Sequence, residues 1–263
     1  MKKILFSDVD GTIIDQNGLL HPQDKEAINQ LRAQGHYMVL CTGRTKKEIQ
    51  VLLNTYHFPY DYLILNNGSR IIDKDGNDLY KKEVSAQAGR KIIENCLNYQ
   101  DYSLFFYDGI REISLAWINN KTHIYGDHGM VETDEYDFLE EYKKSSSFEL
   151  ICFNQNNEQI DQTIRIKEFV ESQFKDELSA HLNTYFLDIV PANCSKGSGI
   201  KTLLSLLCEQ VESYAVGDSY NDILMFDAVN HSYTFHRCLD EIKQHTDKQV
   251  DYVYQIIDDM LGG

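Results

Sequence analysis

Two aspartates near the start of the chain are the first residues whose types and spacing suggest chemistry. Asp8 and Asp10 follow the apolar run Ile4-Leu5-Phe6, and Gly11 comes directly after them. A short apolar run bounded by polar residues is typical of a buried strand in a parallel sheet, and the glycine marks the turn that ends it. Ligands of open α/β sheets bind beyond the carboxyl ends of the strands. We therefore expect both carboxylates at a binding edge, although Asp-Gly is also common in ordinary tight turns.

Other polar residues follow other predicted strands or begin a predicted helix. They are Thr42 with Gly43 after Tyr37-Met38-Val39-Leu40, Lys196 at the start of a helix, and Asp218, Asn221 and Asp222 after Ser213-Tyr214-Ala215-Val216. Each has an ordinary explanation in isolation: Thr42 and Asp218 could cap helices, and Lys196 could be a solvated loop residue. Their joint occurrence at predicted strand ends and helix starts favours a phosphoryl-transfer site, which needs a cation, hydrogen-bond donors and an in-line nucleophile.

The carboxylates also predict a bound metal ion. Two carboxylates 4 Å apart repel by about 4 kcal/mol at an effective dielectric constant near 20, and a divalent cation would offset that repulsion. All the ligands on offer are oxygens, which favours Mg²⁺ over zinc or copper. We expect Asp8 and Asp218 to be direct ligands.

The same residues suggest a reaction. Asp8 has a second possible role as the nucleophile that forms an aspartyl-phosphate, and Asp10 would be the general acid and base. The Thr42 hydroxyl, the Gly43 amide and the Lys196 ammonium would hold the phosphoryl oxygens.

The pattern of elements predicts how these residues are positioned. Strands and helices alternate at both ends of the chain, which is typical of an α/β fold with a parallel sheet covered by helices on both faces. Between these parts, hairpins and helices are mixed, and the pattern indicates an inserted α+β module. We predict a core domain formed by residues 1–80 and 187–263 and an insertion over residues 81–186.

The composition argues against several kinds of partner and site. The net charge of -16 and the absence of a Lys/Arg cluster disfavour nucleic acid as a partner. The amino-terminal segment is too short and too polar for a signal peptide or a membrane span, so we expect a cytoplasmic protein that does not bind membranes. The six cysteines are scattered singly, which signals neither a zinc site nor a disulfide framework.

Four segments together resemble the motifs of the haloacid dehalogenase superfamily. They are Asp8-Val9-Asp10-Gly11-Thr12, Thr42-Gly43-Arg44, Lys196, and Gly217-Asp218-Ser219-Tyr220-Asn221-Asp222. Within the superfamily, Asn66-Asn67-Gly68 and the large insertion between the second and third motifs resemble the Cof-type sugar-phosphatase branch. Cys41 and Ser69 stand where alanine is more usual.

The resemblance implies a Rossmann-like core, a mobile cap that determines specificity, and dependence on Mg²⁺. It implies that the metal is held by Asp8, the backbone carbonyl of Asp10, and Asp218. It also implies that Asn221 contacts phosphate, as would Arg44 of the second motif, and that Asp222 supports the metal or its waters.

We therefore predict an Mg²⁺-dependent phosphatase that hydrolyses small phosphorylated metabolites, such as sugar phosphates, through an aspartyl-phosphate. A phosphotransferase or phosphomutase would use the same chemistry. A receiver-like phospho-acceptor protein and a passive acidic metal-binding protein are alternatives from other classes. The sequence predicts neither the physiological substrate nor the oligomeric state.

Overall fold

The computed structural model describes residues 1–15, 17–118, 121–126, 129–132, 138–155, 159–183 and 185–262, with side chains described outside residues 116–139. The chain divides into two compact units. The first consists of Met1–Lys81 with Ser195–Gly263, and the second of Lys82–Cys194. No helix in the described part of the chain combines the length and the apolar composition that a membrane span requires.

The strands, in chain order, are β1 (Lys2–Ser7), β2 (Tyr37–Cys41), β3 (Tyr62–Leu65), β4 (Arg70–Asp73), β5 (Asp78–Lys81), β6 (Val84–Ser85), β7 (Tyr102–Tyr107), β8 (Glu112–Ile118), β9 (Lys121–Gly126), β10 (Gly129–Glu132), β11 (Ser147–Phe148), β12 (Leu150–Gln155), β13 (Leu178–Asn183), β14 (Phe186–Pro191), β15 (Val211–Val216), β16 (His231–Phe235) and β17 (Lys248–Val250). The helices are α1 (Pro22–Ala33), α2 (Lys46–Tyr56), α3 (Ala86–Cys96), α4 (Phe138–Lys144), α5 (Asp161–Gln173), α6 (Lys196–Leu207), α7 (Ile223–Phe226), α8 (Asp240–Lys243) and α9 (Val253–Leu261), and short 3₁₀ turns cover Asn66–Gly68 and Tyr220–Asp222.

The first unit is built on one sheet with the strand order β17-β16-β15-β1-β2-β3-β4-β5. The strands from β17 to β3 are parallel, and β4 and β5 extend the sheet in antiparallel orientation. Strand β1 therefore lies between β15 and β2. The chain leaves these three parallel strands at the same edge of the sheet, where the predicted site residues begin.

Helices cover both faces of this sheet. Leu5 packs in one apolar cluster with residues of α1, α2 and α9, whereas Ile4 and Phe6 pack in another with residues of α6, α7 and α8. The two clusters use alternate residues of β1 because successive side chains of a strand point to opposite faces. Each such buried side chain contributes about 1.5–3 kcal/mol relative to exposure. The predicted α/β class, with a parallel-sheet core between helices, is confirmed.

The second unit contains a different sheet. Its strand order is β10-β9-β8-β7-β12-β14-β13, its pairs are antiparallel, and β6 and β11 form a separate pair. Among the described residues, Phe106, Phe148 and Phe153 are fully buried in its core beside residues of α3 and α5. The insertion is thus an α+β module. Asp127 and His128 lie outside the described residues.

The predicted carboxyl-terminal boundary of the insertion, at 186/187, differs from the division between the two compact units, which lies after Cys194. Strand β14, which includes Leu187, pairs antiparallel with β12 and β13 of the second unit, and that unit continues to Cys194. A short apolar run predicts a buried strand but does not distinguish a parallel strand from an internal antiparallel one. The first boundary, after Lys81, lies one residue from its predicted position.

Candidate active site

The first aspartate extends the central strand pair. The amide of Asp8 donates to the carbonyl of Val216 at 2.9 Å, so the ladder between β1 and β15 continues one residue beyond β1. This places the Asp8 side chain, which is 4% exposed, at the centre of the sheet edge. Gly11 then adopts φ +86°, a left-handed conformation that glycine tolerates, and the chain turns out of the sheet.

A buried lysine joins two of the predicted carboxylates. The Lys196 ammonium donates to Oδ1 of Asp8 and to Oδ1 of Asp222, each at 2.6 Å. Lys196 is the first residue of α6, where the side chain of Ser195 caps the helix by accepting from the amide of Ser198. The cap fixes the start of the helix and therefore the point from which the lysine reaches the carboxylates.

Burial and charge act together on these groups. Burial alone would lower the pKa of Lys196, but Asp222 and Asp8 outweigh it and hold that pKa above its ordinary value. Burial raises the pKa of Asp8, an effect that Lys196 opposes and that Asp222 and Asp218 reinforce. Burial, with Asp222 nearby, also raises the pKa of Asp218 to about 6. The negative charge of the three carboxylates exceeds the positive charge of Lys196, so a further cation would stabilise the cluster.

The loop after β15 arranges its own aspartates. Oδ2 of Asp222 accepts from the amides of Asp218 and Ser219 at 3.0 Å each and from the Ser219 hydroxyl at 3.1 Å. The carboxylate of Asp222 is therefore held at both oxygens, by these donors and by Lys196. Gly217 leaves room for it, because a Cβ at position 217 would overlap the Asp222 side chain.

The loop after β2 brings Arg44 to Asp10. The guanidinium donates to both carboxylate oxygens of Asp10, at 2.8 and 2.7 Å. The amide of Arg44 donates to the Thr42 hydroxyl oxygen at 3.1 Å. Such a bidentate pair is a strong, oriented contact, and a phosphate group could compete for the same guanidinium.

Six of the nine predicted site residues thus fall into two groups. Asp8, Asp218, Asp222 and Lys196 meet at one point, whereas Asp10 and Arg44 pair beside it. The other predicted residues lie in the same loops: the Thr42 hydroxyl meets the Arg44 amide, half-buried Gly43 follows it, and Asn221 Oδ1 accepts from the Ser219 hydroxyl at 2.6 Å. No hydrogen bond among the described residues joins Thr42 or Asn221 directly to the Asp8 cluster.

Two residues that support the loop after β2 had only a weak signal in the sequence. The amides of Asn66 and Asn67 donate to the carbonyls of Arg44 and Thr42, each at 3.1 Å, and so brace the loop after β2. Both asparagines have positive φ, 49° and 48°. Asparagine is enriched in that conformation, so Asn66-Asn67-Gly68 could have predicted the left-handed turn but not the loop that it contacts.

The acidic cluster fits a divalent cation. Asp8, Asp218 and Asp222 offer carboxylate oxygens that all lie within 4.8 Å of one another. Oδ2 of Asp8 is buried and has no hydrogen-bond partner among the described residues. An unpaired buried carboxylate oxygen is costly, and an oxygen-rich site of this kind suits a hard divalent ion.

Comparisons with known proteins point to one enzyme family. A family model for haloacid dehalogenase-like hydrolases matches residues 5–255. The 5-amino-6-(5-phospho-D-ribitylamino)uracil phosphatase YwtE of Bacillus subtilis is 23% identical over 99% of this chain and 99% of its own length. The glucosyl-3-phosphoglycerate/mannosyl-3-phosphoglycerate phosphatase of Methanococcoides burtonii is 23% identical over 88% of this chain and 83% of its own. The crystal structure of a haloacid dehalogenase-like hydrolase from Bacteroides thetaiotaomicron superposes with a TM-score of 0.79 at 19% identity, covering 99% of this chain and 100% of that one.

Proposed function

Because the chain belongs to the haloacid dehalogenase-like hydrolase family, as its four motifs predicted, we propose that it is an Mg²⁺-dependent phosphatase of small phosphorylated metabolites. Family membership confirms the predicted enzyme class, a hydrolase of this type. The observation that carries the finer proposal is the unpartnered Oδ2 of Asp8, buried within a cluster of carboxylates beside Lys196.

In the proposed reaction, Oδ2 of Asp8 attacks the phosphorus atom while Lys196 holds Oδ1 of the same carboxylate. The bond from phosphorus to the ester oxygen breaks, and Asp10 donates a proton to the leaving alkoxide. Asp10 then accepts a proton from the water that attacks the aspartyl-phosphate, which releases inorganic phosphate and restores Asp8. For the first transfer, the pair between Asp10 and Arg44 must open.

The remaining residues have binding roles in this proposal. Asp8, the backbone carbonyl of Asp10, and Asp218 would hold Mg²⁺, which neutralises charge on the phosphoryl oxygens when bound. Asp222 would support this site by accepting hydrogen bonds from Lys196 and from the Asp218 amide. Thr42, Gly43, Arg44, Lys196 and Asn221 would contact the phosphoryl group.

The names of the relatives support a phosphate ester as the substrate without fixing its organic part. One acts on a ribitylaminouracil phosphate and another on glycosylated phosphoglycerates. Such different leaving groups suggest that a shared phosphate site is combined with variable recognition. We assign that recognition to the insertion, residues 82–194, and expect a sugar phosphate or a similar phosphomonoester.

A screen of phosphorylated metabolites tests the proposal. Phosphate release should require Mg²⁺, stop with chelator, and be abolished in Asp8→Asn. Asp10→Asn should slow turnover about 10²–10⁴-fold and accumulate a phosphorylated protein, detectable by mass spectrometry after acid quenching. Asp227→Asn, which changes an exposed aspartate after α7, is the matched control and should retain activity.

Product analysis in the same screen separates hydrolysis from transfer. Inorganic phosphate as the main product supports a phosphatase, whereas phosphorylation of an added alcohol in preference to water would indicate a phosphotransferase. Full activity of Asp8→Asn would remove the proposed nucleophile. A stable phosphoprotein that forms without turnover would favour a receiver-like protein.

A further inference from the structure

Arg237 lies beyond β16 and reaches the loop that follows β1. Its Nη2 donates to the carbonyl of Gly11 at 2.6 Å, a contact between residues 226 positions apart. Its Nη1 donates to the carbonyl of Asp251 at 3.3 Å, and its guanidinium carbon lies 3.7 Å from the centroid of the Phe235 ring. The guanidinium is thus held by the Asp251 carbonyl and the Phe235 ring while it binds the Gly11 carbonyl of the loop.

Gly11 is the point at which this loop touches Asp218. A Cβ at Gly11 would overlap Oδ2 of Asp218, and the hydroxyl of the next residue, Thr12, donates to Oδ1 of Asp218 at 3.1 Å. Both oxygens of that carboxylate therefore face the segment Gly11–Thr12. The position of the Gly11 backbone limits where the Asp218 carboxylate can lie.

The same end of β16 also holds the loop that carries Asp218. The hydroxyl of Thr234, which is buried, donates to the carbonyl of Gly217 at 2.7 Å. Thr234 therefore fixes the residue before Asp218, and Arg237 fixes the segment against which Asp218 packs. Two contacts from neighbouring positions of the chain hold two loops that come from β1 and β15.

We propose that Arg237 is a positioning residue that sets the separation of the Asp8 and Asp218 carboxylates for a shared divalent cation. The inference rests on the proposed function only in taking that cation to be part of the site. Arg237 has two opposing effects on the binding of the cation. Its positive charge disfavours a nearby cation, whereas its grip on the Gly11 carbonyl favours the geometry that binds one. Removing the side chain therefore shows which effect dominates.

The test is calorimetric titration of the full-length protein with MgCl₂ in the absence of substrate. We expect Arg237→Gln to weaken Mg²⁺ binding about 10-fold, the lower end of the effect of losing an outer contact of a metal site. Arg237→Lys should weaken it less, since lysine keeps one donor and the charge. Thr234→Val should also weaken it. In activity assays of Arg237→Gln, the Mg²⁺ concentration that gives half-maximal activity should rise by a larger factor than KM for the phosphomonoester.

Arg32→Gln is the matched control. Arg32 donates to both oxygens of Asp61 at 3.0 and 2.8 Å in the same unit, so its loss should lower the melting temperature without changing the Mg²⁺ affinity. Unchanged or tighter Mg²⁺ binding by Arg237→Gln would overturn the proposal, and tighter binding would show that charge dominates. A wild-type protein that binds Mg²⁺ but hydrolyses no phosphomonoester would contradict the proposed function and leave this inference standing.

Discussion

Lys196 combines deep burial with two ion pairs at the proposed catalytic site. Its side chain is 2% exposed, and a lysine is buried to that extent only when its charge is compensated. Asp8 and Asp222 supply the compensation, each at 2.6 Å. The desolvation cost of such a group offsets much of its internal attraction, so the ion pairs alone give no reason to expect a large gain in stability. Their part in the proposed reaction is orientation: Lys196 holds Oδ1 of Asp8 and leaves Oδ2 for the proposed attack on phosphorus.

Removing the lysine charge should therefore damage both folding and activity. We expect Lys196→Met to lower the free energy of unfolding by about 3–5 kcal/mol, because two buried carboxylates lose their shared partner. Added Mg²⁺ should restore part of this loss by replacing the missing positive charge. Denaturant unfolding with and without MgCl₂ measures both effects.

Lys201→Met provides the comparison for Lys196→Met. Lys201 lies on the same helix, α6, but is exposed, so its substitution should change stability by less than about 0.5 kcal/mol. Equal effects of the two substitutions would show that the buried ion pairs contribute nothing specific. Phosphatase activity should be lost only in Lys196→Met.

At the scale of elements, the sequence predicted the strands better than the loop contacts. The run Ile4-Leu5-Phe6 indicated a buried strand because strands enclosed on both faces carry short continuous apolar runs. Asp8, Asp218 and Lys196 could be assigned to strand ends and a helix start because those positions follow local patterns. The pairing of Arg44 with Asp10 could not be predicted, since it depends on how two loops from different strands approach each other. Arg237 left no signal for the same reason.

The Asn66–Gly68 turn packs closely against the start of α6. Gly68 has φ +90°, and a Cβ there would overlap the carbonyl of Ser195, the residue before Lys196. The turn and the helix can approach this closely only because the residue is glycine. The geometry of Lys196 therefore depends on a residue remote in sequence.

Gly68→Ala should consequently cost more than the strain of a left-handed alanine. We expect Gly68→Ala to lower stability by more than the roughly 1–2 kcal/mol of the backbone term, and to reduce activity by displacing Lys196. Gly35→Ala is the control, since Gly35 has φ +82° but open space around its Cα. The Gly35→Ala variant should lose only the stability that a left-handed alanine costs, and it should keep its activity. Thermal unfolding and steady-state kinetics of both variants test this; equal activity in the two would contradict it.

In the second unit, Asp108 organises the turn between β7 and β8. Its carboxylate accepts from the Arg111 amide at 2.6 Å, from the Arg111 guanidinium at 2.8 and 3.0 Å, and from the Ser145 hydroxyl at 2.9 Å. Burial alone would raise the pKa of Asp108, but these hydrogen bonds outweigh it and hold the pKa below its ordinary value. The ionised form is thus bound more tightly in the folded state than in the unfolded state.

This shift predicts a pH-dependent contribution to stability. A depressed folded-state pKa stabilises the protein above the unfolded pKa, near 4, and the contribution disappears as pH falls through the folded value. We expect Asp108→Asn to lower the free energy of unfolding by about 1–2 kcal/mol at pH 7, with a difference that shrinks toward pH 3. Urea unfolding at several pH values measures it. A pH-independent difference would assign the loss to packing.

At the scale of the whole molecule, the predicted domain bounds and the two compact units differ most at the carboxyl-terminal end of the insertion. The alternation of apolar runs and helices resumes near Leu187 in the sequence, whereas in the structure β14 completes the sheet of the second unit. Leu187 and Ile189 are buried in the apolar cluster of that unit. Strand pairing is a long-range property, so the apolar pattern located the strand correctly and could not identify the sheet.

The division after Cys194 leads to a prediction about independent folding. The second unit has its own buried core, and the ammonium of Lys82 donates to the carbonyl of Ala192 at 2.7 Å, so its two ends lie together. Its length is that of ordinary independently folding domains. We expect the excised fragment of residues 82–194 to unfold cooperatively and to give a dispersed amide NMR spectrum.

The fragment of residues 82–186, which ends at the boundary predicted from the sequence, is the matched comparison. It lacks nearly all of β14, so the internal edges of β12 and β13 lose their hydrogen-bonding partner and the core loses Leu187 and Ile189. Two buried aliphatic side chains contribute about 3–6 kcal/mol together, a large part of the stability of a domain of this size. The shorter fragment should therefore fail to show a cooperative transition. Equal folding of the two fragments would contradict the assignment of β14 to this unit, and failure of the longer one would show that the insertion depends on the first unit for its structure.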